Sequence, residues 1–237
     1  VMITPMSFKL NFGNKHLRID SFKELSYLHP RYFTPDYLIL DNMGITKGTK
    51  YVILRFVDFK AYHDKGIEGF SPDNRIKLAT LLSRFAKVII FSGSILPEEL
   101  KRYQLTIPPE EFHNVLSFAS LYIGDSGTTA TEAACLGVPA IRCNSFACSR
   151  LERSNFVELE KKYGLLFNYG VDDQDKAINK ALELIQEENP REIFHVNREK
   201  LLEDKIDITS LLVWLVENYP RSVRHLMRSK TLQYRFK

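Results

Sequence analysis

Short apolar runs alternate with longer amphipathic stretches between residues 51 and 187. Runs rich in β-branched and aromatic residues predict strands at Tyr51–Phe56, Val88–Phe91, Leu121–Gly124, Val138–Arg142 and Leu165–Asn168. The stretches between them predict helices at Arg75–Phe85, from Pro97, from Pro108 to Ala119, at Thr129–Leu136, Glu152–Lys162 and Gln174–Glu187. Nearly all-apolar strands that alternate with helices are typical of a parallel sheet covered on both faces. The pattern therefore predicts an α/β, doubly wound fold.

The two ends of the chain differ from this central region. Residues 1–48 hold a predicted strand at Val1–Thr4 and a short predicted helix at Ser21–Leu28, followed by proline-rich and glycine-containing loops. Residues 190–237 are predicted to be helical only. We expect three parts: 1–48 as the tail of a preceding domain with a linker, 49–189 as the doubly wound domain, and 190–237 as appended C-terminal helices.

Composition narrows the classes of function. The 237 residues carry 33 Lys+Arg and 29 Asp+Glu, a net charge of +4 that is too small to argue for a nucleic-acid partner. The longest wholly apolar run, Leu211–Val216, is far shorter than a membrane span. Three cysteines without a Cys-x-x-Cys pair and six scattered histidines give no metal-ligand spacing, so we expect no metal site and a reducing, cytoplasmic location.

The segment Gly124–Thr129 reads Gly-Asp-Ser-Gly-Thr-Thr between a predicted strand and a predicted helix. Small residues let a ligand approach the backbone amides at a helix start, where the dipole favours an anion by about 0.3–2 kcal/mol. Glu132, one turn further on, could accept hydrogen bonds from hydroxyls beside a bound phosphate. The alternative is that Asp125 and Ser126 only cap the helix and that Glu132 is a solvated acid.

Other motifs fit this segment less well. The nucleophile elbow Gly-x-Ser-x-Gly would make Ser126 the nucleophile of an α/β serine hydrolase, a minor alternative. Thr128 replaces the second glycine, and His195 lies well inside a charged helical stretch. The glycines at 44 and 48 have the wrong spacing for a phosphate-binding P-loop, and the chain contains no Gly-x-Gly-x-x-Gly.

Residues 123–141, Ile-Gly-Asp-Ser-Gly-Thr-Thr-Ala-Thr-Glu-Ala-Ala-Cys-Leu-Gly-Val-Pro-Ala-Ile, resemble the signature of GT-B nucleotide-sugar enzymes, especially the UDP-N-acetylglucosamine 2-epimerases. The whole chain also resembles an uncharacterised family of GT-B-like proteins. That second resemblance rests on the loop together with Thr4-Pro5, Phe33–Asp36, Arg55 and Ala61–Asp64. It implies the Rossmann-like C-terminal half of a GT-B molecule, whose N-terminal domain is absent from these residues.

The resemblance also implies roles for particular residues. By position, Ser126, Gly127 and Thr128 would hold the diphosphate, Glu132 would bind the ribose diol, and Pro108 would lie in the turn that contacts the uracil. Arg55 and His63 would lie near the phosphates and are the two candidates for catalytic groups. A surface ion pair for Arg55 and loop packing for His63 are the alternatives.

The implied ligand is a nucleotide-sugar, with UDP or a UDP-sugar as substrate and no other cofactor. The chain departs from the resemblance in two places. Gly124 stands where retaining transferases carry the first of two glutamates eight positions apart, and Thr128 stands where the epimerases carry a second glycine. The reaction is therefore open between glycosyl transfer and epimerisation. A non-catalytic nucleotide-binding or scaffold protein of the same fold is the alternative.

The C-terminal tail is basic and follows an apolar helix. Its cationic positions are Arg221, Arg224, His225, Arg228, Lys230, Arg235 and Lys237. Such a segment predicts weak peripheral contact with anionic lipid. The alternative is that it packs back onto the first domain of a GT-B molecule.

Overall fold

Five parallel strands form the central sheet of the protein. The structure is a computed structural model that describes residues 1–8, 10–46, 48–58, 66–93, 95–147, 154–188 and 190–237. The strands of the described residues are β1 (Met2–Pro5), β2 (His16–Ile19), β3 (Tyr51–Phe56), β4 (Lys87–Ser92), β5 (Leu121–Gly124), β6 (Ala140–Cys143) and β7 (Leu166–Tyr169). The sheet order is β4-β3-β5-β6-β7, and every pairing in it is parallel. The α/β, doubly wound fold class is confirmed.

Helices connect the strands and continue beyond the last one. They are α1 (Leu25–Leu28), α2 (Leu38–Asn42), α3 (Pro72–Leu82), α4 (Glu98–Lys101), α5 (Phe112–Ser117), α6 (Gly127–Cys135), α7 (Ser154–Lys161), α8 (Gln174–Gln186), α9 (Pro190–Asp204), α10 (Ile208–Glu217) and α11 (Arg221–Arg228). A 3₁₀ helix at Lys230–Phe236 follows α11. Within the described ranges, no helix combines the length and apolarity needed to cross a membrane.

The apolar strands predicted from the sequence are buried because helices cover both faces of the sheet. Val52, Ile53 and Leu54 in the central strand β3 are fully buried, which explains why the strand shows no polar alternation. Some boundaries differ from the prediction. The strand predicted at Val138–Arg142 begins at Ala140, because the Val138 N–H donates back to the Ala133 carbonyl in α6 and Pro139 has no N–H to donate.

The first 45 residues pack against two separate apolar clusters. Phe22, Leu25 and Leu40 belong to the main core around the sheet. The parallel pair β1–β2 packs Leu17 and Ile19 against a second cluster formed by the C-terminal helices. The C-terminal helices therefore fold back onto the start of the chain, and the division into parts 1–48, 49–189 and 190–237 stays a prediction.

The basic C-terminal tail contributes to this second cluster through its apolar residues. Val223 and Leu226 of α11 are buried in it, whereas Arg221, Arg224 and Arg228 point to solvent. Contact of these exposed cations with lipid stays a prediction.

Candidate functional site

The β5–α6 connection ends in a capped helix start. Ser126 has an extended conformation, and its Oγ accepts a hydrogen bond of 3.3 Å from the Thr129 backbone N–H. Helix α6 therefore begins at Gly127, two residues before the predicted start at Thr129. The first backbone N–H groups of a helix have no intrahelical acceptor. Those of Gly127 and Thr128 are therefore available at a position where the helix dipole favours an anion.

Gly127 leaves room for an aromatic ring that in turn packs on a cation. A side chain at position 127 would lie 2.8 Å from Phe156 Cζ, so the ring needs the glycine there. The Arg142 guanidinium carbon lies 3.7 Å from the Phe156 ring centroid. Arg142 is 1% exposed, and its Nη2 donates a hydrogen bond of 3.3 Å to Asn144 Oδ1. The stack holds a buried cation in a fixed orientation.

Asn144 joins the ends of two neighbouring strands. Its Nδ2 donates to the Asp125 backbone carbonyl over 2.9 Å, and its Oδ1 accepts from the backbone N–H groups of Phe146 and Ala147. These bonds fix the turn after β6 against the turn after β5. Asn144 Oδ1, the acceptor for Arg142, is therefore held in a fixed position.

Asp125 lies beneath the loop as a buried carboxylic acid. Its Oδ1 accepts a 2.7 Å hydrogen bond from the Val57 N–H, and Arg75 Nη2 lies 3.7 Å from its Oδ2. Burial raises the pKa of Asp125 to about 7, although the Val57 hydrogen bond and the Arg75 charge lower it in part. A side chain at Gly69 would collide with the same Oδ2. Asp125 thus joins the end of β3 to the end of β5.

These groups line a cleft of about 580 Å³ at the carboxyl ends of β3, β5 and β6. Ser126, Gly127, Thr128 and Arg142 line it from the sheet side. The N-terminal segment lines it with both apolar and polar residues: Ile3, Thr4, Pro5, Ser7, Phe8, Phe22, Lys23 and Glu24. The strand order reverses between β3 and β5, and ligands of open α/β sheets bind at such a point. The Ser126–Thr128 loop and the buried Arg142 therefore lie together at the point where open α/β sheets bind ligands.

Glu132 lies on the same helix but not among the residues that line the cleft. Its Oε1 accepts a 3.0 Å hydrogen bond from the Tyr27 hydroxyl and lies 3.1 Å from His113 Nε2. The Tyr27 and His113 ring centroids are 5.4 Å apart. Glu132 is 7% exposed, so the alternative of a solvated acid is wrong. The Glu132 carboxylate is instead buried beside the loop, in contact with the Tyr27 hydroxyl and the His113 ring.

Two further sequence candidates that the structure describes, Arg55 and Pro108, are not among the residues that line the cleft. The Arg55 guanidinium packs 5.5 Å from the Phe112 ring centroid, and its backbone carbonyl accepts from the Asp125 N–H. Pro108 is exposed and precedes the 3₁₀ turn that leads into the helix of His113. His63 and the Ala61–Asp64 motif lie outside the described residues.

Among the described residues, Ser126 lacks the surroundings of a hydrolase nucleophile. The Ser126 hydroxyl donates to Thr129 Oγ1 over 3.2 Å, and no histidine is among the described residues that line the cleft. In the part of the chain that the structure describes, no group of three or more His, Cys, Asp or Glu side chains could hold a metal ion.

Sequence reasoning missed four residues of this region: Arg142, Glu24, Tyr27 and His113. Arg142 was the only charged residue of the predicted strand Val138–Arg142, and that was a usable signal, because buried arginines are rare unless they serve a polar partner. The other three carry no local signal. Tyr27 reaches Glu132 across 105 positions of the chain, a contact that only the tertiary fold creates.

Comparison with known proteins supports the fold of the chain. No family model and no curated protein matches the chain. Among solved structures, an O-GlcNAc transferase mutant from Thermobaculum terrenum aligns with a TM-score of 0.51 and 14% identity over 96% of this chain and 46% of its own. This likeness, together with the sheet order, shows a Rossmann-like fold of the kind found in GT-B proteins.

Two further structures are less similar. A Listeria monocytogenes protein assigned to the UDP-N-acetylglucosamine 2-epimerases gives a TM-score of 0.44 and 17% identity, over 68% of this chain and 42% of its own. A spinosyn rhamnosyltransferase in complex with thymidine diphosphate gives a TM-score of 0.44 and 13% identity, over 72% of this chain and 45% of its own. The chain thus spans less than half the length of these three proteins.

Proposed function

We propose that this protein binds a nucleotide-sugar, with UDP as the nucleotide, and acts as part of a GT-B type enzyme. The observation that carries the proposal is that the start of α6 and the buried Arg142 line one cleft. Both attract an anion, and the cleft lies at the reversal point of the sheet. A diphosphate is an anion large enough to contact the loop amides and the guanidinium together.

The diphosphate would accept hydrogen bonds from the Gly127 and Thr128 amides and pair with Arg142. Guanidinium groups bind phosphate oxygens in a forked geometry that lysine does not offer. The packing of Arg142 on Phe156 and its bond to Asn144 support a preorganised site, because little side-chain freedom remains to be lost on binding.

The nucleoside would lie beside the loop, against Tyr27, His113 and Glu132. Two aromatic rings offer surfaces on which a base or ribose can pack, and Glu132 offers acceptor oxygens for the ribose hydroxyls. In the free protein Tyr27 donates to Glu132, so a ribose hydroxyl would compete with the tyrosine for the carboxylate.

Two reactions fit this arrangement: glycosyl transfer and epimerisation by elimination and re-addition of UDP. In both, negative charge develops on the leaving diphosphate, where the loop amides and Arg142 would stabilise it. The length comparison supports a proposal that a GT-B N-terminal domain completes the enzyme. An acceptor-dependent release of UDP would identify transfer, and a 2-epimer formed without acceptor would identify epimerisation.

Calorimetric titration of UDP, UDP-N-acetylglucosamine, GDP and CMP tests the binding claim. We expect UDP and its sugar to bind most tightly to the wild type. Glu132→Gln should weaken UDP about 10- to 150-fold, the equivalent of about 1.5–3 kcal/mol for hydrogen bonds to a charged group. Glu183→Gln, an exposed glutamate paired with Lys180 on α8, is the matched control and should bind like wild type. Absence of binding by all four ligands would contradict the proposal. Tight binding without turnover would instead support a non-catalytic nucleotide-binding protein.

A further inference from the structure

Glu24 lines the same cleft as the Ser126–Thr128 loop and Arg142, but it comes from the N-terminal segment. It immediately precedes α1, and its backbone carbonyl accepts hydrogen bonds from the N–H groups of Tyr27 and Leu28. The neighbouring Phe22 is buried in the main core. The backbone of this acid is therefore held in place on both sides.

The Glu24 carboxyl group is buried beside a cation that is itself mostly exposed. The residue is 4% exposed, and its charged partner is Lys23, whose Nζ lies 3.7 Å from Oε1. The Lys23 side chain is itself 71% exposed, so it contributes a weak, solvent-screened ion pair. Burial raises the pKa of Glu24, and the nearby Glu132 raises it further, although its own backbone N–H and Lys23 lower it. Buried carboxyl groups normally have better partners than these.

The position of Glu24 relative to the loop suggests what such a partner would be. Glu132, Tyr27 and His113 lie beside α6 and are outside the cleft lining, whereas Glu24 and Arg142 are inside it. A ligand with its nucleoside on Glu132 and its diphosphate on the loop would place its remaining group in the cleft that Glu24 lines. In a nucleotide-sugar that group is the sugar, which is rich in hydroxyl donors.

We propose that Glu24 is a specificity residue that accepts hydrogen bonds from hydroxyls of the sugar carried on the diphosphate. This inference rests on the proposed function, since it requires the diphosphate to lie on the α6 loop. Glu24 makes the cleft selective for a diphosphate that carries a polyhydroxylated group over the bare nucleoside diphosphate. Its role is separate from that of Glu132, which serves the nucleoside.

The test compares each nucleotide-sugar with its parent nucleotide in the same variant. Dissociation constants of UDP, UDP-glucose and UDP-N-acetylglucosamine are measured by calorimetry for wild type, Glu24→Gln and the surface control Glu183→Gln. We expect Glu24→Gln to weaken at least one UDP-sugar about tenfold while UDP itself is unchanged. The control should change neither. Unchanged UDP binding also shows that the variant is folded.

The possible failures are distinguishable. Wild-type protein that binds UDP and UDP-sugars, with an affinity ratio that Glu24→Gln leaves unaltered, would overturn the role of Glu24 and leave the proposed function standing. An equal loss of UDP and UDP-sugar in Glu24→Gln would also overturn it, because the residue would then serve the nucleotide. Wild-type protein that binds none of the three ligands would overturn the proposed function together with this inference.

Discussion

The Tyr27 hydroxyl donates a 3.0 Å hydrogen bond to Glu132 Oε1, so the glutamate that the sequence assigns to a ribose diol already has a protein donor. Burial raises the pKa of Tyr27, with the Glu132 charge adding to it, so the phenol remains a proton donor at neutral pH. A nucleoside hydroxyl that bonds to Glu132 Oε1 therefore competes with the tyrosine for that oxygen.

Replacing Tyr27 by phenylalanine removes the tyrosine hydrogen bond to Glu132 and leaves the carboxylate available to the nucleoside. The ring and its packing beside His113 are kept, and only the donor is lost. We expect Tyr27→Phe to bind UDP about 2- to 12-fold more tightly, since a net hydrogen bond of about 0.5–1.5 kcal/mol no longer has to be broken. Calorimetry on the two proteins checks this. Weaker binding by Tyr27→Phe would show instead that the hydroxyl contacts the ligand.

Arg142 should contribute to the diphosphate and not to the nucleoside. Arg142→Met keeps an unbranched apolar side chain against Phe156 but removes the charge. We expect UDP to bind about 10- to 150-fold less tightly, for the loss of about 1.5–3 kcal/mol of charge-assisted hydrogen bonding, while uridine binds as it does to wild type. The ratio of the two dissociation constants is the measurement, and uridine controls for folding. A ratio equal to that of wild type would remove Arg142 from the site.

Asp125 should make stability depend on pH. Its folded-state pKa of about 7 exceeds the ordinary value of 3.8, so the folded protein binds more protons than the unfolded chain between these values. The free energy of unfolding should therefore fall as pH rises from 4 to 7, with an upper bound of roughly 4 kcal/mol from this group. Urea denaturation from pH 4 to 8 measures the slope.

Asp125→Asn is the matched variant for that titration. The amide oxygen can still accept the Val57 hydrogen bond, but the side chain no longer ionises. Its unfolding free energy should exceed that of wild type most at pH 8 and least at pH 4. Parallel pH profiles for the two proteins would contradict the assignment of the slope to Asp125.

Asp207 joins the N-terminal segment to the C-terminal helices. It caps α10 by accepting a 3.0 Å hydrogen bond from the Ser210 N–H, and its Oδ2 accepts from Arg31 and Tyr32. Burial alone would raise its pKa, but these hydrogen bonds lower it to about 2. Its contribution to stability is therefore present above pH 4 and is lost as pH falls towards 2.

Asp207→Ala should lower the free energy of unfolding by about 0.5–2 kcal/mol for the lost cap, with a further loss from Arg31 and Tyr32. Asp207→Asn, which can still cap the helix, should lose less. Urea denaturation at pH 7 compares the three proteins. Equal stability of wild type and the alanine variant would show that the two ends of the chain are not coupled through this residue.

The fold could be predicted because its strands are buried on both faces and therefore read as apolar runs. Tyr51–Phe56 and Leu121–Gly124 were predicted with their observed bounds. Boundaries shifted where a single conformation decides them. The start of α6 depends on the Ser126 cap, and the local sequence pattern alone predicted that start two residues too late.

The candidate site could be predicted only where it is local in sequence. The Ser126–Thr128 loop is contiguous, and its small residues before a helix have a recognisable physical meaning. Arg142 and Glu24 join it only because β6 pairs beside β5 and the N-terminal segment packs over the sheet. Such contacts depend on the tertiary fold. The position of Arg142 in an apolar strand predicts burial but not its partners, and the sequence around Glu24 predicts neither.

The most direct test of the diphosphate site is a two-dimensional ¹H–¹⁵N spectrum of the labelled protein titrated with UDP. If the α6 start binds the diphosphate, the backbone amide signals of Gly127, Thr128 and Thr129 should shift with UDP but not with uridine. The same signals should stay in place when UDP is added to Arg142→Met at that concentration. A spectrum in which UDP binds and shifts other amides while these three stay unmoved would contradict the account.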